Sequence, residues 1–339
     1  IMNNKICFFC VGTGGHVLPV KNLVNELKKL DVDIENIIVV TDDRGKEYLD
    51  NLNINTFITN VYASQNGILG YIFNFPKIIR SIIQIRKHLR KQNISVICTT
   101  GAYIAPIAAI VSVLLNAKFY IQEQNVYAGL GNKLSAIFAK SVFCSFENTK
   151  NISKKKLIYT GPIVNTSLTR DDRRIFENQT IGFMGGSQGS EQINNYVEKF
   201  MKSDNQLNFN ILHVTGKNKD TLDIDNKNYQ SIEFIKEMDD FYKRIDILVG
   251  RAGGGSLEAA YLGIPQILIP YKHGTTSSHQ ELNAKYLEDK GWGITVNTFD
   301  ELTSKIKNIS KDITENKLNL PNIPIGNQSI SKELYEQIN

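Results

Sequence analysis

The sequence predicts an α/β chain built from two domains, each a doubly wound parallel sheet. Short apolar runs rich in Val, Ile and Phe alternate with helix-period stretches along the whole length, the pattern of strands joined by crossover helices. At 339 residues the chain exceeds one ordinary domain, so two of roughly 150 to 170 residues are expected. Two segments in opposite halves, Ile6 to Val20 and Thr180 to Asn194, repeat one plan: an apolar run, a glycine cluster, then a helix.

In the first half, Ile6 to Val11 reads as a buried parallel strand and Gly12-Thr13-Gly14-Gly15 as a turn. Val20, Leu23, Val24, Leu27 and Leu30 then form one face of a helix. Further strands are expected at 37–41, 56–60, 94–98, 118–121 and 141–144. Thr160-Gly161-Pro162 follows a short apolar strand and precedes the charged run Arg170 to Arg174, which places a boundary there: an N-terminal domain of 1–161 and a C-terminal one of 162–328. The second half opens with the strand 180–184, the glycine cluster Gly185 to Ser190, and a helix face of Ile193, Tyr196, Val197 and Phe200. Strands at 209–214, 230–234, 245–249 and 265–269 follow. A last helix, about 329–339, comes after Pro321 and Pro324 and is expected to pack back on the first domain.

Composition narrows the function classes. With 42% hydrophobic and 22% charged residues the chain is a folded protein rather than a disordered one. The longest apolar run, Tyr103 to Ala117, is broken by Pro106 and falls short of the roughly 20 residues that span a bilayer. No secretory cleavage pattern precedes the first glycine turn, so a cytoplasmic location is expected. A net charge of +5 suits phosphorylated substrates or an anionic membrane. No helix-turn-helix, zinc-finger or aromatic RNA-binding pattern accompanies it, and nucleic acid is not predicted. Cys7 and Cys10 share a C-x-x-C spacing, but alternate residues of a strand point to opposite faces; these two, Cys98 and Cys144 read as buried thiols.

The glycine turns serve either as tight connections or as anion holders, since glycine admits a ligand close to the backbone and a starting helix turns N–H groups toward it. A nicotinamide fingerprint is disfavoured: its third glycine would fall on Val17, and Asp42 and Asp43 lie beyond the usual spacing of about 20 residues. His16 follows the first turn at a strand's carboxyl end, where a base or an anion donor belongs. A second turn, Thr99 to Tyr103, offers another helix end in the same domain. The polar run Gln122-Glu123-Gln124-Asn125 at a strand end is costly to bury without partners and suits a polar ligand. In the second half, Gly250 to Ser256 leads into a helix with Ser256 as N-cap and Glu258 in its first turn. Ser187, Gly253, Gly254, Gly255, Glu258 and Gln280 are expected to line one nucleotide-diphosphate pocket. Residues 68–91 carry too many apolar side chains for one buried stripe, flanked by Lys77, Arg80, Arg86, Lys87, Arg90 and Lys91. They read either as a core helix with a basic outer face or as contact with an anionic membrane surface.

Taken together, Gly12 to Pro19, Gly101-Ala102-Tyr103, Glu123-Gln124-Asn125, Gly185 to Ser190, Arg251-Ala252-Gly253, and His279-Gln280 with Asn283-Ala284 resemble the MurG-type glycosyltransferases. The resemblance implies a GT-B fold, two Rossmann-like domains facing across a cleft. It also implies inverting, metal-independent transfer of N-acetylglucosamine from UDP-N-acetylglucosamine to undecaprenyl-diphosphate-linked muramoyl-pentapeptide, by a peripheral protein on the cytoplasmic face of the bacterial inner membrane. No cofactor is implied. Carried onto this sequence, the donor-binding set comprises Thr13, Gly14, Gly15, Asn125, Asn165, Ser187, Ile235, Gly253, Gly254, Gly255, Ser256, Leu257, Glu258 and Gln280, with Thr13, Gly14 and Gly15 also facing the acceptor and the reacting centre. His16 and Tyr103 fall on the acceptor side, with His16 first and Glu123 second as catalytic base. Two departures stand out. Asn165 occupies the place of an arginine that reaches the donor, leaving Arg251 or Lys217 to compensate, and the turn between Arg251 and Glu258 is one residue short. The rival readings are another GT-B lipid glycosyltransferase, a UDP-sugar 2-epimerase, or a non-catalytic nucleotide-sugar binding protein.

Overall fold

The computed structural model describes residues 4–60, 75–169, 178–204, 208–217, 219, 222, 224–235, 237–271 and 277–338. Ile68 to Phe73, the charged run 170–174 and most of the loop after Tyr271 lie outside the described residues. The chain divides into two compact units, 1–164 with 324–339, and 165–323.

Unit 1 is a seven-stranded parallel sheet ordered β3-β2-β1-β4-β5-β6-β7. Its strands are β1 (Lys5–Phe9), β2 (Ile37–Thr41), β3 (Asn55–Ile58), β4 (Ile94–Thr99), β5 (Lys118–Glu123), β6 (Ser141–Cys144) and the half-exposed edge β7 (Leu157–Tyr159). The helices are α1 (Gly14–Lys29), a single turn α2 (Asp43–Lys46), α3 (Phe75–Leu89), α4 (Ala105–Leu115) and α5 (Leu130–Ser135). Register pairs Ile6 with Ile37 on one side and with Val96 on the other. Because side chains alternate along a strand, Ile6, Phe8 and Cys10 enter one core while Cys7, Phe9 and Val11 enter the core on the opposite face. All four cysteines are buried and unbridged, and burial raises their thiol pKa values, Cys98 and Cys144 to about 12.

The last helix, α11 (Asn327–Ile338), closes the first of those cores with Ile330, Leu334 and Ile338. Its entry is fixed by backbone chemistry. Gly161 has φ +84, and a Cβ there would stand 2.3 Å from the Pro324 carbonyl oxygen. The buried Asn327 amide accepts the Val164 N–H at 3.1 Å and donates to the Val164 carbonyl at 2.7 Å. A glycine and an asparagine therefore tie the returning chain to the end of the first unit.

Unit 2 is a six-stranded parallel sheet ordered β10-β9-β8-β11-β12-β13. Its strands are β8 (Gln179–Met184), β9 (Phe209–Val214), β10 (Tyr229–Ile232), β11 (Ile247–Gly250), β12 (Gln266–Leu268) and β13 (Ile294–Thr295). The connecting helices are α6 (Glu191–Met201), α7 (Met238–Arg244), α8 (Gly254–Tyr261), α9 (Ser277–Asp289) and α10 (Phe299–Thr314). Ile193, Val197 and Phe200 of α6 share a core with Leu302, Ile306 and Ile309 of α10, while Phe241 and Tyr242 of α7 fill the opposite face. The expected strands sit within one or two residues of the observed ones. The two-residue β13 was not anticipated, being too short to show a period.

Candidate active site

In unit 1, three adjacent parallel strands β2, β1 and β4 end at one edge, where ligands of such sheets gather. Helix α1 begins there at Gly14, with Thr13 extended at the N-cap and no side chain accepting from the first turn. Its leading N–H groups are thus left for an anion. Gly15 is exposed, and a Cβ added to it meets nothing within 4 Å. Packing does not require glycine at this position, whereas a ligand pressed against the backbone would.

His16 is held from both ends by Thr100. Its Nδ1 lies 2.8 Å from the Thr100 carbonyl oxygen, and the Thr100 hydroxyl donates to the His16 carbonyl at 2.7 Å. A carbonyl only accepts, so Nδ1 carries the proton in neutral imidazole and Nε2 keeps its lone pair. That is the tautomer a general base needs. Tyr103, half-buried, donates to Asp42 Oδ2 at 3.0 Å; burial and the neighbouring carboxylate push the phenol pKa up, so it remains a donor.

Glu123 is almost wholly buried at the end of β5. Its Oε1 accepts the Asn125 backbone N–H at 2.9 Å and the Asn125 side-chain amide at 3.1 Å, and its Oε2 accepts from Asn132 at 2.8 Å and Gly129 at 3.3 Å. Four donors on one carboxylate suit holding Asn125 in place more than taking a substrate proton. Within the polar run 122–125, Glu123 and Asn125 thus partner one another, whereas Gln122 Oε1 and Gln124 Nε2 are buried without a hydrogen-bond partner among the described residues.

In unit 2 the glycines divide by cause. A Cβ on Gly185 would stand 2.3 Å from Ser190 N, and one on Gly189, at φ +71, would stand 2.0 Å from the Thr215 carbonyl oxygen. These glycines are dictated by close packing, and Ser190 caps α6 by accepting the Ile193 N–H. Ser187, partly buried, is held by its carbonyl accepting Lys217 N–H at 3.0 Å. Gly253 and Gly254 face open space, and α8 starts there without a side-chain cap. The open helix end of unit 2 therefore lies at Gly253 and Gly254. Gly255 instead has close neighbours: a Cβ there would stand 2.7 Å from the Met184 terminal methyl.

Two expectations about this helix are corrected. Ser256 is not its N-cap: Gly253 is, and the Ser256 hydroxyl bonds back to the Gly253 carbonyl from inside the helix. Glu258 then falls in the second turn, too far along for the helix end to account for it. Its Oε2 accepts from the buried Tyr242 hydroxyl at 2.9 Å, and the Asn165 backbone N–H also donates to it. Burial raises the Glu258 pKa to about 7 despite those two bonds. Asn165, at the family's arginine position, turns its Oδ1 onto the Ser167 N–H and hydroxyl at 3.1 and 2.6 Å.

Arg251 donates to Gln192 at 3.1 Å, the Ile269 carbonyl at 2.8 Å and Ser190 Oγ at 2.5 Å, and lies over the Tyr271 ring. Gln280 Oε1 accepts the Tyr271 N–H at 3.1 Å. Ile235 packs in the core beneath α7, and Leu257 is buried, so contact with a ligand would come from their backbones. No three His, Cys, Asp or Glu side chains gather at metal-site spacing among the described residues.

Sequence reasoning missed Thr100, Asn132 and Tyr242. Asn132 left a signal, an amide buried beside a glycine turn; Tyr242 left none, because a tyrosine sixteen positions before its carboxylate reads as core.

Comparison with known proteins adds the lineage. The glycosyltransferase family 28 N-terminal domain matches residues 6–144 and the family's C-terminal domain matches residues 180–338. A UDP-N-acetylglucosamine–N-acetylmuramyl-(pentapeptide) pyrophosphoryl-undecaprenol N-acetylglucosamine transferase of Rickettsia felis is 34% identical over 333 residues, covering 89% of each chain. The protein of the same name from Borreliella burgdorferi is 31% identical over 328 residues, covering 91% of this chain and 88% of its own. Among solved structures, Acinetobacter baumannii MurG aligns with a TM-score of 0.71 at 20% identity, over 98% of this chain and 99% of its own. The calicheamicin glycosyltransferase aligns at 0.65 and 11%, over 99% of each, and like the previous one speaks to fold alone. With both family domains matched in order and relatives above 30% identity along nearly the full length, the chain belongs to glycosyltransferase family 28, among the MurG-type N-acetylglucosamine transferases.

Proposed function

We propose that the chain moves N-acetylglucosamine from UDP-N-acetylglucosamine to the muramoyl sugar of an undecaprenyl-diphosphate-linked pentapeptide, with inversion and without a metal. The names of its relatives support the substrates. The observation that carries the chemistry is His16, whose Nδ1–H is committed to Thr100 at the uncapped start of α1.

In the proposed step an acceptor hydroxyl attacks the anomeric carbon from the face opposite UDP. The new C–O bond forms as the bond to the UDP oxygen breaks, and the hydroxyl proton passes to His16 Nε2. UDP leaves as an anion, which the N–H groups of Gly254 and Gly255 and the Ser187 loop are suited to stabilise. Glu258 accepts from the ribose hydroxyls, Ile235 offers backbone groups to the uracil, and Gln280 and Asn125 meet the sugar. Thr13, Gly14 and Gly15 face the acceptor diphosphate with Tyr103.

The protein is proposed to act peripherally, on the cytoplasmic face of the inner membrane. Helix α3 supports this: Phe75, Ile79 and Ile83 are exposed beside the exposed cations Lys77, Arg80, Lys87, Arg90 and Lys91. Ile78 and Ile82 instead pack against the core. No helix among the described residues is long and apolar enough to cross a membrane.

Labelled sugar transfer to the lipid-linked muramoyl acceptor and to diacylglycerol, each with and without EDTA, tests the reading. Transfer to the first alone, unaffected by EDTA, is expected. Transfer to diacylglycerol would favour a different lipid glycosyltransferase, and UDP-N-acetylglucosamine binding without any transfer would favour the non-catalytic reading suggested by Asn165.

A further inference from the structure

At the edge of unit 1 where β2, β1 and β4 end, one carboxylate gathers three loops. Asp42 is fully buried. Its Oδ1 accepts the N–H of Gly12 at 2.9 Å and of Gly45 at 2.9 Å, which fixes the first glycine turn against the turn after β2. Its Oδ2 accepts Arg44 Nε at 3.2 Å, Arg44 Nη2 at 3.0 Å and the Tyr103 hydroxyl at 3.0 Å. Burial alone would raise the Asp42 pKa, yet these donors leave it below the ordinary carboxylate range, so the anion persists at neutral pH.

Arg44 is the unusual member. Two backbone N–H groups and a phenol already answer the buried carboxylate, and the Arg44 side chain remains 54% exposed. Partial exposure lets the guanidinium keep part of its hydration and leaves its outer edge open to a second anion. The guanidinium spends Nε and Nη2 on Asp42, while Nη1 has no protein partner among the described residues. Nη2 lies 3.8 Å from where a Cβ on Gly12 would stand, beside the turn that opens into the uncapped α1. A planar guanidinium braced along one edge, with its remaining donors beside a helix start, is arranged for a phosphate group.

We propose that Arg44 is a phosphate-binding residue for the acceptor's diphosphate and that Asp42 is the positioning residue that aims it. The assignment of the diphosphate to an acceptor rests on the function proposed above; the anion site itself rests on the geometry of unit 1. Asp42 would act on transfer through Arg44, Tyr103 and the Gly12 turn together, and Arg44 through charge and hydrogen bonding alone.

Inorganic pyrophosphate is titrated by calorimetry into the whole chain with saturating UDP, so that the nucleotide site does not take the probe. Transfer kinetics against the lipid-linked muramoyl acceptor are measured separately, without added UDP. Arg44→Ala should weaken pyrophosphate binding and raise the acceptor KM by roughly tenfold or more. Donor KM should stay unchanged, and Arg44→Lys should recover part of the loss. Asp42→Asn should raise the acceptor KM as well and lower kcat, since it releases Tyr103 and the glycine turn. Arg44 is exposed, so its variants retain the fold whatever happens to Asp42→Asn. Arg44-dependent pyrophosphate binding without transfer would overturn the acceptor reading and leave the anion site standing. Equal pyrophosphate affinity and acceptor KM in wild type and Arg44→Ala, or no pyrophosphate binding by the wild type, would overturn the proposal.

Discussion

Glu258 holds its proton to about pH 7 because burial disfavours the charge more than Tyr242 and Asn165 favour it. A carboxylate that accepts both ribose hydroxyls must be ionised, so affinity for UDP-N-acetylglucosamine should rise by roughly tenfold between pH 6 and pH 8. The diphosphate of that ligand keeps constant charge over the range. Calorimetry with Glu258→Gln should give weaker, pH-independent binding, and a flat profile in the wild type would remove Glu258 from the ribose. The same shift acts on stability with the opposite slope. Between pH 4.5 and 7 the folded chain keeps a proton that the unfolded chain releases, so this group's contribution falls as pH rises through that window and is constant above it. Gly15 separates structure from function at the same scale. With open space at its Cβ and a helical backbone, Gly15→Ala should raise stability by about 0.5–1 kcal/mol. It should nevertheless raise the acceptor KM, and normal kinetics in a stabilised variant would return this turn to a purely structural role. His16, Glu258 and the glycines were legible in the sequence as residue types beside strand ends. What orients them was not: Thr100 lies 84 positions from His16 and Tyr242 lies on another helix.

At the level of elements, periodicity carried the prediction wherever an element is long and buried on both sides. Strands β1, β2, β4, β8 and β9 are nearly continuous apolar runs because helices cover both faces of a parallel sheet. The edge strand β7 was legible only as a short apolar stretch before Thr160, and the two-residue β13 carries too little pattern to be read. The two glycine clusters that looked alike in sequence differ in the structure: α1 starts uncapped, whereas α6 is capped by Ser190, with Gly185 packed against Ser190 and Gly189 against Thr215 and Gly216. In unit 2, α8 starts without a side-chain cap, at Gly253 and Gly254. Helix α3 supplies the element-scale prediction. Phe75, Ile79 and Ile83 lie outside the core clusters and are 59%, 40% and 60% exposed, so replacing them with Ser should largely preserve thermal unfolding and nucleotide binding. Partition onto anionic vesicles should drop by at least about tenfold, since each large apolar side chain buried is worth ~1.5–3 kcal/mol. Undiminished sedimentation would rule out α3 as the contact.

For the whole molecule, two parallel sheets, each wound on both faces, have the fold class expected from the sequence, family 28 domains cover both halves, and a C-terminal helix packs on the first unit. That one more helix follows Pro324 was readable in the sequence. Its anchoring by Gly161 and Asn327 was not, since both depend on a contact between residues more than 160 positions apart. The proposed transfer requires unit 1 to supply the base and unit 2 to hold the nucleotide. Turnover and UDP-N-acetylglucosamine affinity, measured side by side in His16→Ala at saturating substrates, test that division most directly. The account predicts kcat lower by roughly 10²–10⁴ with donor affinity unchanged. Near wild-type turnover in that variant would contradict it.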